Sequence, residues 1–177
     1  MNKKQLFIAL YLPYAHYVES KTGLASTITL TQAALESSWG QSAIGNNFFG
    51  IKAKKDTPLD KKQLFVTREV LKNNTTKFPE ILSISKIEDG MFEYQVRDWF
   101  MKYTTPSDSF ADYANLFQRL PRYKTAWENR ANPDVFFSEI HKAGYATAPN
   151  YTTVLQTVHK EIVELVKKFE KQFLPIV

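Results

Sequence analysis

Between Lys21 and Lys52 the chain carries a single charged residue, Glu36. It stands in the run Thr31-Gln32-Ala33-Ala34-Leu35-Glu36-Ser37-Ser38-Trp39-Gly40. Alanine and leucine favour a helix there and Gly40 is a natural stop, so the carboxyl is expected in the last turn of an apolar helix. Two effects would then raise its pKa: burial disfavours the charged form, and so does the negative end of the helix dipole. A carboxylic acid that stays protonated near neutral pH can protonate a leaving-group oxygen. On spacing alone the residue reads more readily as a solvent-facing glutamate at a helix end.

A second group is aromatic. Trp39, Phe48, Phe49, Tyr145 and Tyr151 lie close to glycine or proline, in a chain whose residues are 14% aromatic. Flat rings so placed can form platforms for sugar rings, or can simply fill a core.

Other chemistries are excluded by what the sequence lacks. It has no cysteine, which removes thiol nucleophiles, disulfide scaffolds and Cys-ligated metals. His16, His141 and His159 show no ligand spacing, so no metal is expected. Neither a Gly-rich phosphate loop nor a Gly-x-Ser-x-Gly elbow occurs. The net charge of +5 favours a polyanionic partner, but the basic residues are scattered, so nucleic acid is not expected. No run of 18 apolar residues exists to span a membrane. Met1–Pro13 imitates a signal peptide, but the amphipathic pattern continues through Tyr14, His16 and Glu19, which speaks against a cleaved leader.

The elements that must position these residues follow from periodicity. Residues 3–22 read as a helix with Phe7, Leu10, Tyr11, Tyr14 and Val18 on its stripe and Gly23 as its stop. Thr27 or Thr29 would cap a second helix through Trp39, and residues 41–50 form a loop. Residues 63–70 and 81–87 are rich in β-branched and aromatic side chains. Glu88-Asp89-Gly90 reads as a tight turn into a return strand over 91–103. Ser107 would cap a helix holding Phe110, Tyr113, Ala114 and Phe117, which Pro121 breaks. Tyr123–Arg130 is a short helix, Pro133 opens another that ends near Gly144, and a last one runs from about Asn150 to Phe169. The 177 residues suit one domain, 1–177, of α+β class: a helical body with a small antiparallel β-lobe at about 60–103. A cleft between body and lobe is the expected binding site.

With these motifs in place the chain resembles the glucosaminidase family of peptidoglycan hydrolases, glycoside hydrolase family 73. Gln32–Gly40 is similar to that family's Gln-Ala-Ala-Leu-Glu-Ser-Gly-Trp-Gly. Asn47-Phe48-Phe49-Gly50-Ile51-Lys52 is similar to Asn-Leu-Phe-Gly-Ile-Lys. Val96–Tyr103 resembles the Phe-Arg-x-Tyr strand, Ser109–Tyr113 the Ser-x-x-Asp-Tyr helix, and Gly144–Tyr151 the Gly-Tyr-Ala-Thr-Asp-Pro-x-Tyr segment, with Ala148 in place of the aspartate.

The resemblance implies a lysozyme-like fold and cleavage of glycan between N-acetylglucosamine and N-acetylmuramic acid, without metal or cofactor. It makes Glu36 the general acid and Glu69, in Thr67-Arg68-Glu69, the second carboxylate, with Glu80, Glu88 and Glu93 as alternatives. Trp39, Asn47, Phe48, Phe49, Tyr145 and Tyr151 would bind substrate. The expected function is that of an endo-β-N-acetylglucosaminidase acting as a monomer on bacterial peptidoglycan. The alternatives are a lytic transglycosylase, a muramidase or a silent glycan-binding module. Without wall-binding repeats, a phage endolysin, tail lysin or exported effector is expected more than a large autolysin.

Overall fold

The computed structural model describes residues 1–173. The chain divides into two compact units: Met1–Phe49 with the chain from Thr104 onward, and Gly50–Tyr103.

The first unit is helical. Helix α1 (Lys3–Thr22) starts at a capping box in which Asn2 Oδ1 accepts from the Lys4 and Gln5 amides, and Gln5 Oε1 accepts from Asn2 N. It ends at Gly23, whose φ of 73° is a left-handed conformation that suits glycine. The residues it buries are Phe7, Ile8, Leu12, Ala15 and Val18, while Leu10 and Tyr14 are exposed. The expected stripe differed because this helix is apolar nearly all round, so periodicity alone does not choose the inward face.

Helix α2 (Ser26–Glu36) starts earlier and stops earlier than expected. Ala25 is its N-cap, with no side-chain hydrogen bond; Thr29 is buried inside the helix and Thr27 Oγ1 meets His159 Nε2 at 3.1 Å. At the other end Ser38 and Trp39 both adopt positive φ (50° and 61°), which an α-helix cannot continue through. Ser37 Oγ accepts from Gly40 N at 2.8 Å and closes the turn.

Helix α3 (Pro106–Arg119) is capped by Thr105, not Ser107: Thr105 and Asp108 form the reciprocal capping box, with Pro106 in the first turn. Helix α4 (Lys124–Glu128) is one turn long and α5 (Pro133–Lys142) is capped by Asn132. Helix α6 (Tyr151–Phe173) runs one turn past the expected end and buries Tyr151, Leu155, Ile162 and Val166. Phe117 sits at the centre of this unit's aromatic core, with the rings of Tyr113, Tyr123, Phe136 and Tyr145 all within 5.6 Å.

The second unit is a three-stranded antiparallel sheet of order β1-β3-β2, formed by β1 (Lys62–Leu71), β2 (Glu80–Lys86) and β3 (Phe92–Met101). It takes in residues before the expected lobe, because Met101 N donates to Ile51 O and Ala53 N to Trp99 O, both at 2.9 Å. Strand alternation puts the buried Tyr94, Val96 and Phe100 on one face, where Phe65 stacks on Phe100 at 4.0 Å. Edge strand β2 is exposed along its whole length.

Candidate active site

Glu36 is the last residue of α2, and its side chain is exposed. The helix ends at it for a local reason, the left-handed pair Ser38-Trp39, so the carboxyl emerges at the negative end of the helix dipole. Tyrosines crowd its other sides. Tyr151, at the start of α6, donates from its hydroxyl to Glu36 Oε1 over 3.4 Å. Tyr145, in the turn after α5, stacks on Tyr151 at 6.0 Å and on Phe117 at 5.6 Å. Tyr113, on α3, is fully buried beneath them and stacks on Phe49 at 4.0 Å.

This packing, not lack of accessible surface, raises the Glu36 pKa. Protein atoms around the carboxyl displace the water that would stabilise its charge, and the Tyr151 hydrogen bond opposes that rise only in part. Burial and then the Glu36 charge push the Tyr145 and Tyr151 hydroxyls well above the usual phenol range, so both stay protonated as donors. A carboxyl whose pKa is raised, set among phenol donors, is suited to pass a proton to an oxygen that reaches it.

The expected sugar-binding residues separate into two sets. Tyr145 and Tyr151 are beside Glu36, and Phe49 supports them through Tyr113. Phe48 is only 1% exposed; its ring is occupied by Tyr11 at 4.8 Å and Phe110 at 5.2 Å, which makes it core. The Trp39 ring lies edge-on to Phe7 at 5.5 Å, with Lys4 Nζ 4.8 Å above it, so its neighbours are on α1. Asn47 is buried in the segment where the Phe48 amide donates to Ser109 Oγ.

Glu69 lies in the sheet unit, on β1 opposite Tyr94 of β3, hence on the face that carries the buried aromatics. Lys52 Nζ bonds Glu69 Oε1 at 2.8 Å and Asp98 Oδ2 at 2.9 Å. Burial alone would favour the neutral amine, but the two carboxylates outweigh it and hold the ammonium above its usual range. Two carboxylates thus share one cation. Asp98 is not among the residues expected from the sequence, because the pairing of β1 with β3 that brings it to the Glu69 face is long-range. Of the alternatives, Glu93 pairs with Arg68, and Glu80 with Arg97 at 3.1 Å; both register with the opposite face. Glu88 is in the exposed turn before β3.

Gln32 is a further residue of the site that its type and spacing do not announce. It is fully buried one turn before Glu36, and its Nε2 donates to the Tyr151 oxygen at 3.0 Å. Among the described residues no group of three or more His, Asp or Glu is placed to hold a metal ion, and no helix is long and apolar enough to cross a membrane.

Comparison with known proteins identifies the family. The sequence model of the glucosaminidase family, described as mannosyl-glycoprotein endo-beta-N-acetylglucosaminidase, matches residues 12–164. The peptidoglycan hydrolase FlgJ of Vibrio parahaemolyticus is 32% identical over 168 residues, covering 91% of this chain and 48% of that protein. The exo-glucosaminidase LytG of Bacillus subtilis is 28% identical over 169 residues, covering 89% of this chain and 51% of that protein. The solved glycoside hydrolase domain of Salmonella typhimurium FlgJ, C-terminally truncated, superposes with a TM-score of 0.68 at 27% identity, over 91% of this chain and 98% of that one. The chain spans about half the length of the curated relatives it matches.

Proposed function

The chain belongs to the glucosaminidase family of glycoside hydrolases, and from that premise we propose that it is an endo-acting N-acetylglucosaminidase that cuts the glycan strands of bacterial peptidoglycan. The observation that carries this reading is Glu36 itself: a carboxyl whose pKa its surroundings raise, open to solvent, and flanked by tyrosine donors. Glu36 gives its proton to the glycosidic oxygen as the bond to the anomeric carbon breaks, and positive charge spreads over that carbon and the ring oxygen. Either water activated by Glu69 or the substrate's own 2-acetamido oxygen then attacks the anomeric carbon. The net charge of +5 favours attraction to anionic wall polymers. The protein acts at the cell wall as a monomer, reached by secretion, export or phage delivery, and uses neither nucleic acid nor cofactor.

The test is clearance of purified cell walls with analysis of the new ends. Wild type should clear walls and leave reducing N-acetylglucosamine on fragments of mixed length. Glu36→Gln should keep the fold and lose at least ten-fold of the rate, because positioned acid catalysis is worth ~10²–10⁴-fold. Residual activity above about a tenth of wild type would remove Glu36 from the role. Reducing N-acetylmuramic acid would mean a muramidase, anhydro ends a transglycosylase, and release of terminal sugars alone an exo mode like that named for the Bacillus relative. Binding without clearance would leave a glycan-binding module.

A further inference from the structure

A buried glutamine needs a reason. Gln32 has no exposed surface, and its Oε1 has no hydrogen-bond partner among the described residues. An aliphatic side chain would fill that place without leaving a polar atom unsatisfied, a choice that normally favours stability. What Gln32 does have is a position. Four residues before Glu36, it lies on the same face of α2, and its amide Nε2 donates to the Tyr151 oxygen at 3.0 Å. An amide nitrogen can only donate, and a phenol has one proton. With its oxygen already accepting from Gln32, Tyr151 is left to donate, and Glu36 Oε1 is the acceptor within reach at 3.4 Å.

We propose that Gln32 is a positioning residue for Glu36 that acts through Tyr151, reserving the phenolic proton for the carboxyl. The proposal rests on the reading of Glu36 as the acid. Its consequence is a balance. Packing raises the Glu36 pKa, while a proton donated by Tyr151 favours the ionised form. Without Gln32 the hydroxyl is free to turn away, and the acid would be pushed up further. The titratable groups that face Glu36 in the helical unit are Tyr113 from α3, Tyr145 from the turn after α5 and Tyr151 from α6. Behind Tyr151 lies the His141 ring of α5, 5.8 Å away, with its Nδ1 engaged by Thr152 Oγ1.

The experiment follows the Glu36 carboxyl carbon by NMR through a pH titration of the whole chain, in wild type, Gln32→Met, Tyr151→Phe and the double variant. Gln32→Met and Tyr151→Phe should each move the Glu36 midpoint upward by roughly 0.5–1 pH unit, the size expected when a hydrogen bond to the carboxylate is lost. The double variant should match Tyr151→Phe alone, because Gln32 has no route to Glu36 without the hydroxyl. The alkaline limb of kcat/KM should move with the midpoint, which loss of packing alone would not produce.

A midpoint unmoved in Gln32→Met, or shifts that add in full in the double variant, would overturn the proposal. Should Gln32→Met fail to fold, the wild-type chain still decides. The Gln32 side-chain amide resonance should report the Glu36 titration, and that response should vanish in Tyr151→Phe; an amide blind to Glu36 in wild type would overturn the relay. Failure of the acid reading looks different: Glu36→Gln would keep clearing walls, while the shift in the Glu36 midpoint stayed measurable.

Discussion

Among the described residues the Tyr145 hydroxyl has no internal task. The ring is held from several sides, by Phe117, Tyr151 and Tyr123, and its backbone amide is tied to Ile140 O at 3.0 Å. Yet among the described residues no hydrogen bond engages its oxygen, although burial keeps the proton on it. A protonated hydroxyl beside the acid is therefore free to bond to a sugar. Tyr145→Phe keeps the ring contacts and removes the oxygen. Turnover on cell walls should fall about ten-fold, with little change in melting temperature, since a hydrogen bond is worth ~0.5–1.5 kcal/mol and more when it meets developing charge. A variant that melts several degrees lower but turns over normally would make Tyr145 scaffold. At this scale Glu36 was legible in the sequence as a candidate, because an isolated charge in an apolar helix stands out in one dimension, while the role of acid was implied only by the family resemblance. Gln32 was not: its meaning depends on Tyr151, 119 positions away.

At the scale of elements the limits of sequence reading are equally physical. That α2 and α3 exist follows from composition, but their ends follow from caps and backbone conformation. Pro106 in the first turn points to Thr105 as the cap, and that signal outranks the hydroxyl of Ser107. Nothing in a tryptophan codon announces a left-handed conformation, so the stop at Glu36 had to be seen in the backbone. In the sheet, the β2–β3 hairpin was readable from Glu88-Asp89-Gly90, whereas the pairing of β1 with β3 is long-range and places Asp98 near Glu69 without any local cue. That placement bears on the second carboxylate. With Lys52 shared between them, loss of one carboxylate leaves the other to hold the cation. Glu69→Gln should therefore lower wall clearance less than Glu36→Gln does, the more so if the acetamido oxygen is the nucleophile. Equal and complete loss in both variants would show that Glu69 is an obligate base. A silent Glu69→Gln would transfer the role to Asp98, and Asp98→Asn should then be inactive.

For the molecule as a whole, the raised Glu36 pKa has a thermodynamic signature. Below the ordinary carboxylate range, near pH 4, folded and unfolded chains both carry the proton and Glu36 exacts no penalty. Between that value and the raised pKa of the folded state, the folded chain binds the proton that the unfolded chain has released. Stability contributed by this site is therefore lost as pH rises through the folded value. Glu36→Gln cannot titrate and escapes the loss. Its melting temperature relative to wild type should climb between pH 4 and pH 8, even as its activity disappears. The climb should be small, about 1–2 °C, because solvent reaches the exposed side chain and screens its charge. The raised pKa of Lys52 does not interfere: its contribution persists until alkaline pH and is common to both proteins. A melting-temperature difference that stays flat from pH 4 to pH 8, or that falls, would mean that Glu36 ionises as an ordinary surface glutamate, and the acid would have to be sought on another residue.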